Sequence, residues 1–304
     1  ITGLCNPGYY CPAGSTSNTE VPCPARYYRQ DYGAGQESDC GLCVAGGFCS
    51  GANELPTVCP KGSYCPTGVS APTPCPVGTY GNGTGLSAVE YCTACDGGTY
   101  CNIPGAVDPT GPCEPGFYCV SGANSSRPAY SVDQNSSDTT IYSTGGLCPK
   151  GHYCPEGTTN PISCEAGSFN ENWGSVSDAA CVACTPGHYC EGEGNTQVTG
   201  MCPSGYYCPS GSSSSTANYV QRGHYAEQGA SVESPCPTGS FQPNSKPSVC
   251  LDCPVGYYCN TTAMTSYTDF VCPTGHYCPL ATAEPYDCPV TYFTSVQGTQ
   301  AVED

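Results

Sequence analysis

A chain of 304 residues with 7 Lys and Arg against 25 Asp and Glu, a formal net charge of -18, lacks the basic surface that nucleic acid or an anionic membrane requires. Leu, Ile, Val and Phe supply only 37 residues, a composition that ordinarily leaves a chain unfolded. The 29 cysteines offer another way to hold a fold, because disulfides narrow the unfolded ensemble where apolar burial is scarce.

The first element, Cys5-Asn-Pro-Gly8-Tyr-Tyr10-Cys11, introduces a phrase, Cys-x-x-Gly-x-aromatic, that recurs fifteen times along the chain. In ten copies, opening at Cys5, Cys43, Cys59, Cys95, Cys113, Cys148, Cys184, Cys202, Cys253 and Cys272, a second cysteine follows the aromatic at once. Those second cysteines are Cys11, Cys49, Cys65, Cys101, Cys119, Cys154, Cys190, Cys208, Cys259 and Cys278. In the other five copies, opening at Cys23, Cys75, Cys164, Cys236 and Cys288, the partner is delayed, to Cys40, Cys92, Cys181 and Cys250 in the first four. Every cysteine therefore has a place in one grammar.

Read in chain order, that grammar divides the sequence into a partial repeat (1–22), repeat 1 (23–74), repeat 2 (75–119) and a Ser/Asn-rich spacer (120–147). A half repeat (148–163), repeat 3 (164–208) and a Ser-rich spacer with a degenerate copy (209–235) follow, then repeat 4 (236–287) and a truncated repeat 5 (288–304). The eight cysteines from Cys59 to Cys119 recur from Cys148 to Cys208, each shifted by 89 residues, the mark of an internal duplication. Turn signals from 39 Gly and 30 Pro leave no room for an amphipathic helix. The predicted fold class is one of small disulfide-rich repeats, an elongated rod of short β-hairpins and turns with little or no helix.

Glycine at the fourth place of thirteen of the fifteen copies permits positive φ and a sharp turn. Arg26 and Thr291 at that place imply that the turn is sometimes right-handed helical or extended. The aromatic is expected to cover the cystine as a miniature core.

Two pairings stay open. At Val220-Gln-Arg-Gly-His-Tyr-Ala226 both cysteine places are lost together, which favours pairing of each cysteine with its next neighbour: 5–11, 23–40, 43–49, 59–65 and onward. The rival keeps 23–40 but crosses 43–59 and 49–65. Cys288 is left without a partner within the sequence; the seventeen-residue spacing would place one at position 305, so a cysteine just downstream is expected, with an intermolecular disulfide as the alternative.

Such cysteine density belongs in an oxidising compartment, outside the cell. Sequons at Asn82, Asn124, Asn135 and Asn260 fit covalent N-glycans there. No leader, membrane span or lipidation motif is read in the sequence, consistent with a mature region or an excerpt.

Cys-x-x-Cys pairs beginning at Cys40, Cys92, Cys181 and Cys250 have the spacing of zinc or redox motifs, but an oxidised repeat does not present free thiolates. His152, His188, His224 and His276 all stand between the glycine and the tyrosine, a variable and therefore solvent-facing place. Trp173 is a contact anchor or a local packing residue. No catalytic or metal site and no cofactor is expected; calcium stays open as a partner but without support, since the Asp-x-Asp-x-Asp-Gly loop is not present.

The six-cysteine unit headed by Cys75-Pro-Val-Gly-Thr-Tyr80, with Cys92-Thr-Ala-Cys95 in its middle, resembles the ephrin-receptor-like cysteine-rich repeat and, more distantly, the tumour-necrosis-factor-receptor module. The resemblance implies a disulfide-laddered rod, and the receptor module implies the crossed pairing. Arrays of this kind are similar to large extracellular proteins of protists and algae, including shaft proteins of flagellar hairs (mastigonemes). The expected function is structural: an extracellular glycoprotein that associates with copies of itself into a filament. The alternative is the stalk of a receptor or adhesion ectodomain. An enzyme is not expected.

Overall fold

The computed structural model describes residues 3–52, 55–129 and 144–302. Among the described residues there is no α-helix; the regular elements are strands of two or three residues and three short 3-10 turns, Glu37–Asp39, Val89–Tyr91 and Asp178–Ala180. The fold expected from the sequence, small disulfide-rich repeats of hairpins and turns, is the fold present. The chain forms two compact units: residues 1–149, 154–162 and 173–177, and residues 150–153, 163–172 and 178–304.

In the first unit the strands pair as antiparallel hairpins: Tyr9–Tyr10 with Val21–Pro22, Tyr27–Tyr28 with Gly41–Leu42, and Gly47–Phe48 with Thr57–Val58. Ser63–Tyr64 pairs with Thr73–Pro74, Thr79–Tyr80 with Thr93–Ala94, Thr99–Tyr100 with Gly111–Pro112, and Phe117–Cys119 with Gly145–Leu147. The second unit repeats the pattern in Ser168–Phe169 with Val182–Ala183, His188–Tyr189 with Gly200–Met201, and His224–Tyr225 with Ser234–Pro235. Ser240–Phe241 with Leu251–Asp252 and His276–Tyr277 with Tyr286–Asp287 complete it. One strand of each hairpin is the end of a phrase, and its partner is the two residues, or in Gly145–Leu147 the three, just before the next phrase. Each hairpin therefore joins two successive copies, called modules below and named by their first residue.

Side chains supply little core, so backbone polar groups must find partners in the neighbouring module. At the seam between the Cys59 and Cys75 modules, the Cys75 N–H donates to the Gly62 carbonyl (2.9 Å) and the Gly62 N–H to the Gly81 carbonyl (2.7 Å). The Gly85 N–H donates to the Cys59 carbonyl (2.8 Å) and the Cys65 N–H to the Leu86 carbonyl (2.9 Å). The same four bonds join the Cys95 and Cys113 modules, through Cys113 to Gly98, Gly98 to Cys119, Gly122 to Cys95 and Cys101 to Ala123. In the second unit they join the Cys164 and Cys184 modules, through Cys184 to Gly167, Gly167 to Cys190, Gly194 to Cys164 and Asn170 to Asn195.

Fourteen disulfides pair each cysteine with its next neighbour in sequence. The crossed bonds 43–59 and 49–65, which the receptor module implies, are absent: Cys43 is bonded to Cys49 and Cys59 to Cys65, each pair with Cα atoms 5.9 Å apart. Separations are six residues in the complete modules and 17 in the delayed ones, except for 14 in Cys236–Cys250. Cys288 is free and partly buried.

The aromatic of one module reaches the cystine of the next. Tyr100, which ends the Cys95 phrase, packs with Phe117 against Cys113, Cys119 and Ala123. Phe241, 7% exposed, packs against Cys253, Cys259 and Met264, joined by Tyr257, Tyr267 and Phe270. Phe241 and Tyr257 both meet the Tyr267 ring edge-on, at 4.8 and 4.9 Å. The miniature cores thus lie at the seams, where they hold modules to each other.

The turn at the fourth place corrects one expectation. Arg26 and Thr291 both adopt φ of +83°, like the glycines, and not a right-handed or extended conformation. The seam dictates this, since the Arg26 N–H must donate to Cys49 (2.8 Å) while its carbonyl accepts from Cys43 (2.9 Å). The stretches 120–147 and 209–235 also begin inside modules, because Gly122 and Gly211 donate to the Cys95 and Cys184 carbonyls.

Candidate functional site

The Cys-x-x-Cys pairs do not form thiol sites. Their intervening residues, Gly41–Leu42, Thr93–Ala94, Val182–Ala183 and Leu251–Asp252, are strands. Three extended steps separate the paired Cα atoms by about 10 Å, beyond the roughly 7 Å that one disulfide bridges. Each member belongs to a different cystine, as Cys40 does with Cys23 and Cys43 with Cys49. Among the described residues no group of three or more His, Cys, Asp or Glu side chains is placed to hold a metal ion. No helix among them is long and apolar enough to cross a membrane.

The histidines occupy one structural place and are half-buried, where the sequence reading made that place solvent-facing. Each ring turns its Nδ1 toward the carbonyl two residues earlier: His152 to Lys150 (3.0 Å), His188 to Pro186 (3.4 Å), His224 to Arg222 (3.3 Å) and His276 to Thr274 (3.2 Å). At Thr79, Thr99, Ser168 and Ser240, which stand in the same place, the hydroxyl donates to the carbonyl three residues earlier, as Thr79 does to Pro76 and Ser168 to Glu165, both at 2.7 Å. In these copies the variable residue closes its own turn, through a hydroxyl or an imidazole. His276 also faces Asp287 across its hairpin, Nε2 to Oδ1 at 3.0 Å.

The delayed modules carry the residues that the sequence reading missed. Where a second cysteine would stand, Asn170 and Gln242 are 1% and 4% exposed and bond to the chain around them. Asn170 donates through Nδ2 to the His152 carbonyl (2.9 Å) and accepts from the Asn172 N–H (3.0 Å). Gln242 donates to the Val249 carbonyl (2.8 Å) and accepts from the Asn244 N–H (3.1 Å). These amides replace a short covalent closure with two hydrogen bonds and open a longer loop. The sequence signal was the amide itself, at a place where ten copies carry cysteine. Asn170→Leu is expected to destabilise the Cys164 module by about 2 kcal/mol, because it strips two backbone groups of their partner; urea unfolding and exchange of the Asn172 amide measure it.

A carboxylate closes the first delayed loop. The Gly35 and Gln36 N–H groups donate to Asp39 Oδ2 at 2.8 and 3.2 Å, and these bonds hold the Asp39 carboxyl below its ordinary range. The 3-10 turn Glu37–Asp39 then delivers Cys40 to Cys23. Tyr32, in this loop, and Trp173, at the matching place of the Cys164 module, are 62% and 47% exposed.

Asn82, Asn124 and Asn260 have exposed side chains; Asn135 lies outside the described residues. The third residue of the Asn124 sequon, Ser126, donates to Glu114 Oε1 (2.8 Å), and Arg127 pairs with the other Glu114 oxygen. Both contacts hold the Glu114 carboxyl below its ordinary range, the Ser126 bond more than Arg127.

No known family model matches this chain. It is similar to an ABC-type transporter, claG, of Penicillium crustosum, with 35% identity over 75 residues, 25% of this chain and 7% of the transporter. The chain therefore matches only a small part of the length of that curated protein, and so local an alignment carries neither a family nor an activity to it.

Proposed function

We propose that the chain is a structural extracellular glycoprotein, a disulfide-laddered rod that associates with copies of itself into a filament such as a flagellar hair or a cell-surface fibre. The observation that carries this reading is the seam: within each unit the same set of backbone bonds ties one module to the next. Such linkage favours growth along a line, with stability that is local to each module and its neighbours. The cystines supply stiffness that the sparse aliphatic content cannot, and their abundance fits an oxidising, extracellular setting. N-glycans at the exposed Asn82, Asn124 and Asn260 would cover free faces. The net charge of -18 limits unspecific association. The likeness of the phrase to ephrin-receptor-like arrays adds to the same reading.

Electron microscopy of the glycosylated protein, purified from a eukaryotic secretory host at neutral pH, tests it. Polymers with a constant axial repeat are the expected result. Dispersed single particles at micromolar concentration, with or without calcium, overturn the filament.

A further inference from the structure

One module in the second unit holds its place without a covalent link. In Val220-Gln-Arg-Gly223-His-Tyr225-Ala226 both cysteine positions are aliphatic, and the pair is as buried as a cystine: Val220 is 0% and Ala226 2% exposed. The seam bonds are all kept. Val220 donates to Gly205 (3.1 Å), Gly205 to Ala226 (2.9 Å), Gly229 to Cys202 (2.8 Å) and Cys208 to Ala230 (2.9 Å) on the preceding side. On the following side Cys236 donates to Gly223 (2.9 Å), Gly223 to Gln242 (2.9 Å), Lys246 to Val220 (2.9 Å) and Ala226 to Pro247 (3.2 Å).

The flanking cystines are Cys202–Cys208 and Cys236–Cys250, so residues 209–235 are closed by no disulfide. A noncovalent brace stands nearby: the Lys246 ammonium lies 5.2 Å from the Tyr206 ring centroid and 5.7 Å from that of Tyr219. Lys246 itself sits at φ of +63°, at a turn place where most modules use glycine.

We propose that the Val220 module is a hinge within the ladder of the second unit, opening locally while the cystine modules on either side stay closed. A module that opens with its disulfide intact keeps a closed loop and gains little chain entropy, whereas the Val220 module gains the whole of it. For a six-residue link the chain-entropy model makes that difference about fifty-fold in the open population. Burial of Val220 and the Lys246 brace offset part of it, leaving about tenfold. Local opening of this kind is what amide hydrogen exchange reads. The inference concerns one module and stands whether or not the protein forms a filament.

The test is hydrogen exchange on the whole oxidised chain, read by mass spectrometry with reduction after the quench. Amides of Gly205, Val220, Gly223, Ala226 and Gly229 are expected to exchange about tenfold faster than their counterparts Gly167, Cys184, Gly187, Cys190 and Gly194. In V220C/A226C, formation of the new cystine, seen as a loss of two mass units, is expected to bring the two sets together. K246A, which leaves every backbone bond available, is expected to widen the gap. Equal rates in the unaltered chain overturn the hinge, as does a new cystine that leaves the rates unchanged.

Discussion

Gly62→Val is expected to be among the most damaging single substitutions in the first unit, costing about 3 kcal/mol or more. Gly62 adopts φ of +76°, a conformation that costs a residue with a Cβ roughly 1–2 kcal/mol. A Cβ there would also stand 2.2 Å from the Gly105 carbonyl oxygen and 3.0 Å from its carbon. That obstacle is backbone, and it is fixed: the Gly105 N–H donates to the Cys75 carbonyl (2.8 Å) in the seam between the Cys75 and Cys95 modules. The side chain would therefore force apart a module two places along, as well as its own turn.

Arg26 shows how the place accepts a larger residue. Its φ is +83°, and its Nε–H donates to the Gly68 carbonyl at 2.6 Å, again two modules along. The guanidinium bonds to the matching carbonyl, so Gly62→Arg is expected to cost less than Gly62→Val despite its greater size. Urea unfolding, with hydrogen exchange across residues 23–113, measures both. Losses are expected in the Cys59, Cys75 and Cys95 modules and not in the Cys23 module, because coupling decays with distance along a repeat. A tolerated valine, or equal losses for valine and arginine, would sink the close-approach argument.

The sequence made the hairpins and turns legible because the phrase is written in residue types: cysteine at two places, an aromatic at a third and glycine between. It did not disclose what lies between phrases. The seam bonds run from backbone to backbone, as in Gly98 to Cys119 or Gly122 to Cys95, and any residue can make them. The second turn residue, at Gly85, Gly105, Gly122 or Lys246, is glycine in most modules, but it stands at no fixed distance from the opening cysteine, as Gly85 after Cys75 and Gly122 after Cys113 show, so it did not stand out as part of the phrase. The place of the aromatics was half legible. A ring near sulfur was expected, but the ring of Tyr100 crosses a hairpin in which its partner is Gly111 and so reaches the following cystine. The histidines were misplaced because variability was read as exposure. Their place is half-buried; Ser, Thr and His can bond there to their own turn, while Gly47 and Phe117 show that it also accepts residues that make no such bond.

The second large effect separates what a cystine contributes as a link from what it contributes as packing. Cys113 and Cys119 are both 0% exposed, beneath Tyr100 and Phe117. Replacing both by serine removes a link worth about 2.4 kcal/mol in the chain-entropy model, and it buries hydroxyls at about 1–3 kcal/mol for each that lacks a partner. C113S/C119S is therefore expected to lose about 4–8 kcal/mol locally, enough to open the module. C113V/C119A copies the side chains of the Val220 module, keeps apolar volume under the rings, and is expected to lose about 2–3 kcal/mol, close to the link alone. Hydrogen exchange at Gly98, Cys101 and Gly116, whose amides donate to Cys119, Ala123 and Cys154, reads the two variants side by side. Equal losses would mean that the rings gain nothing from the surface beneath them, and that Val220 and Ala226 hold their module by backbone bonds alone.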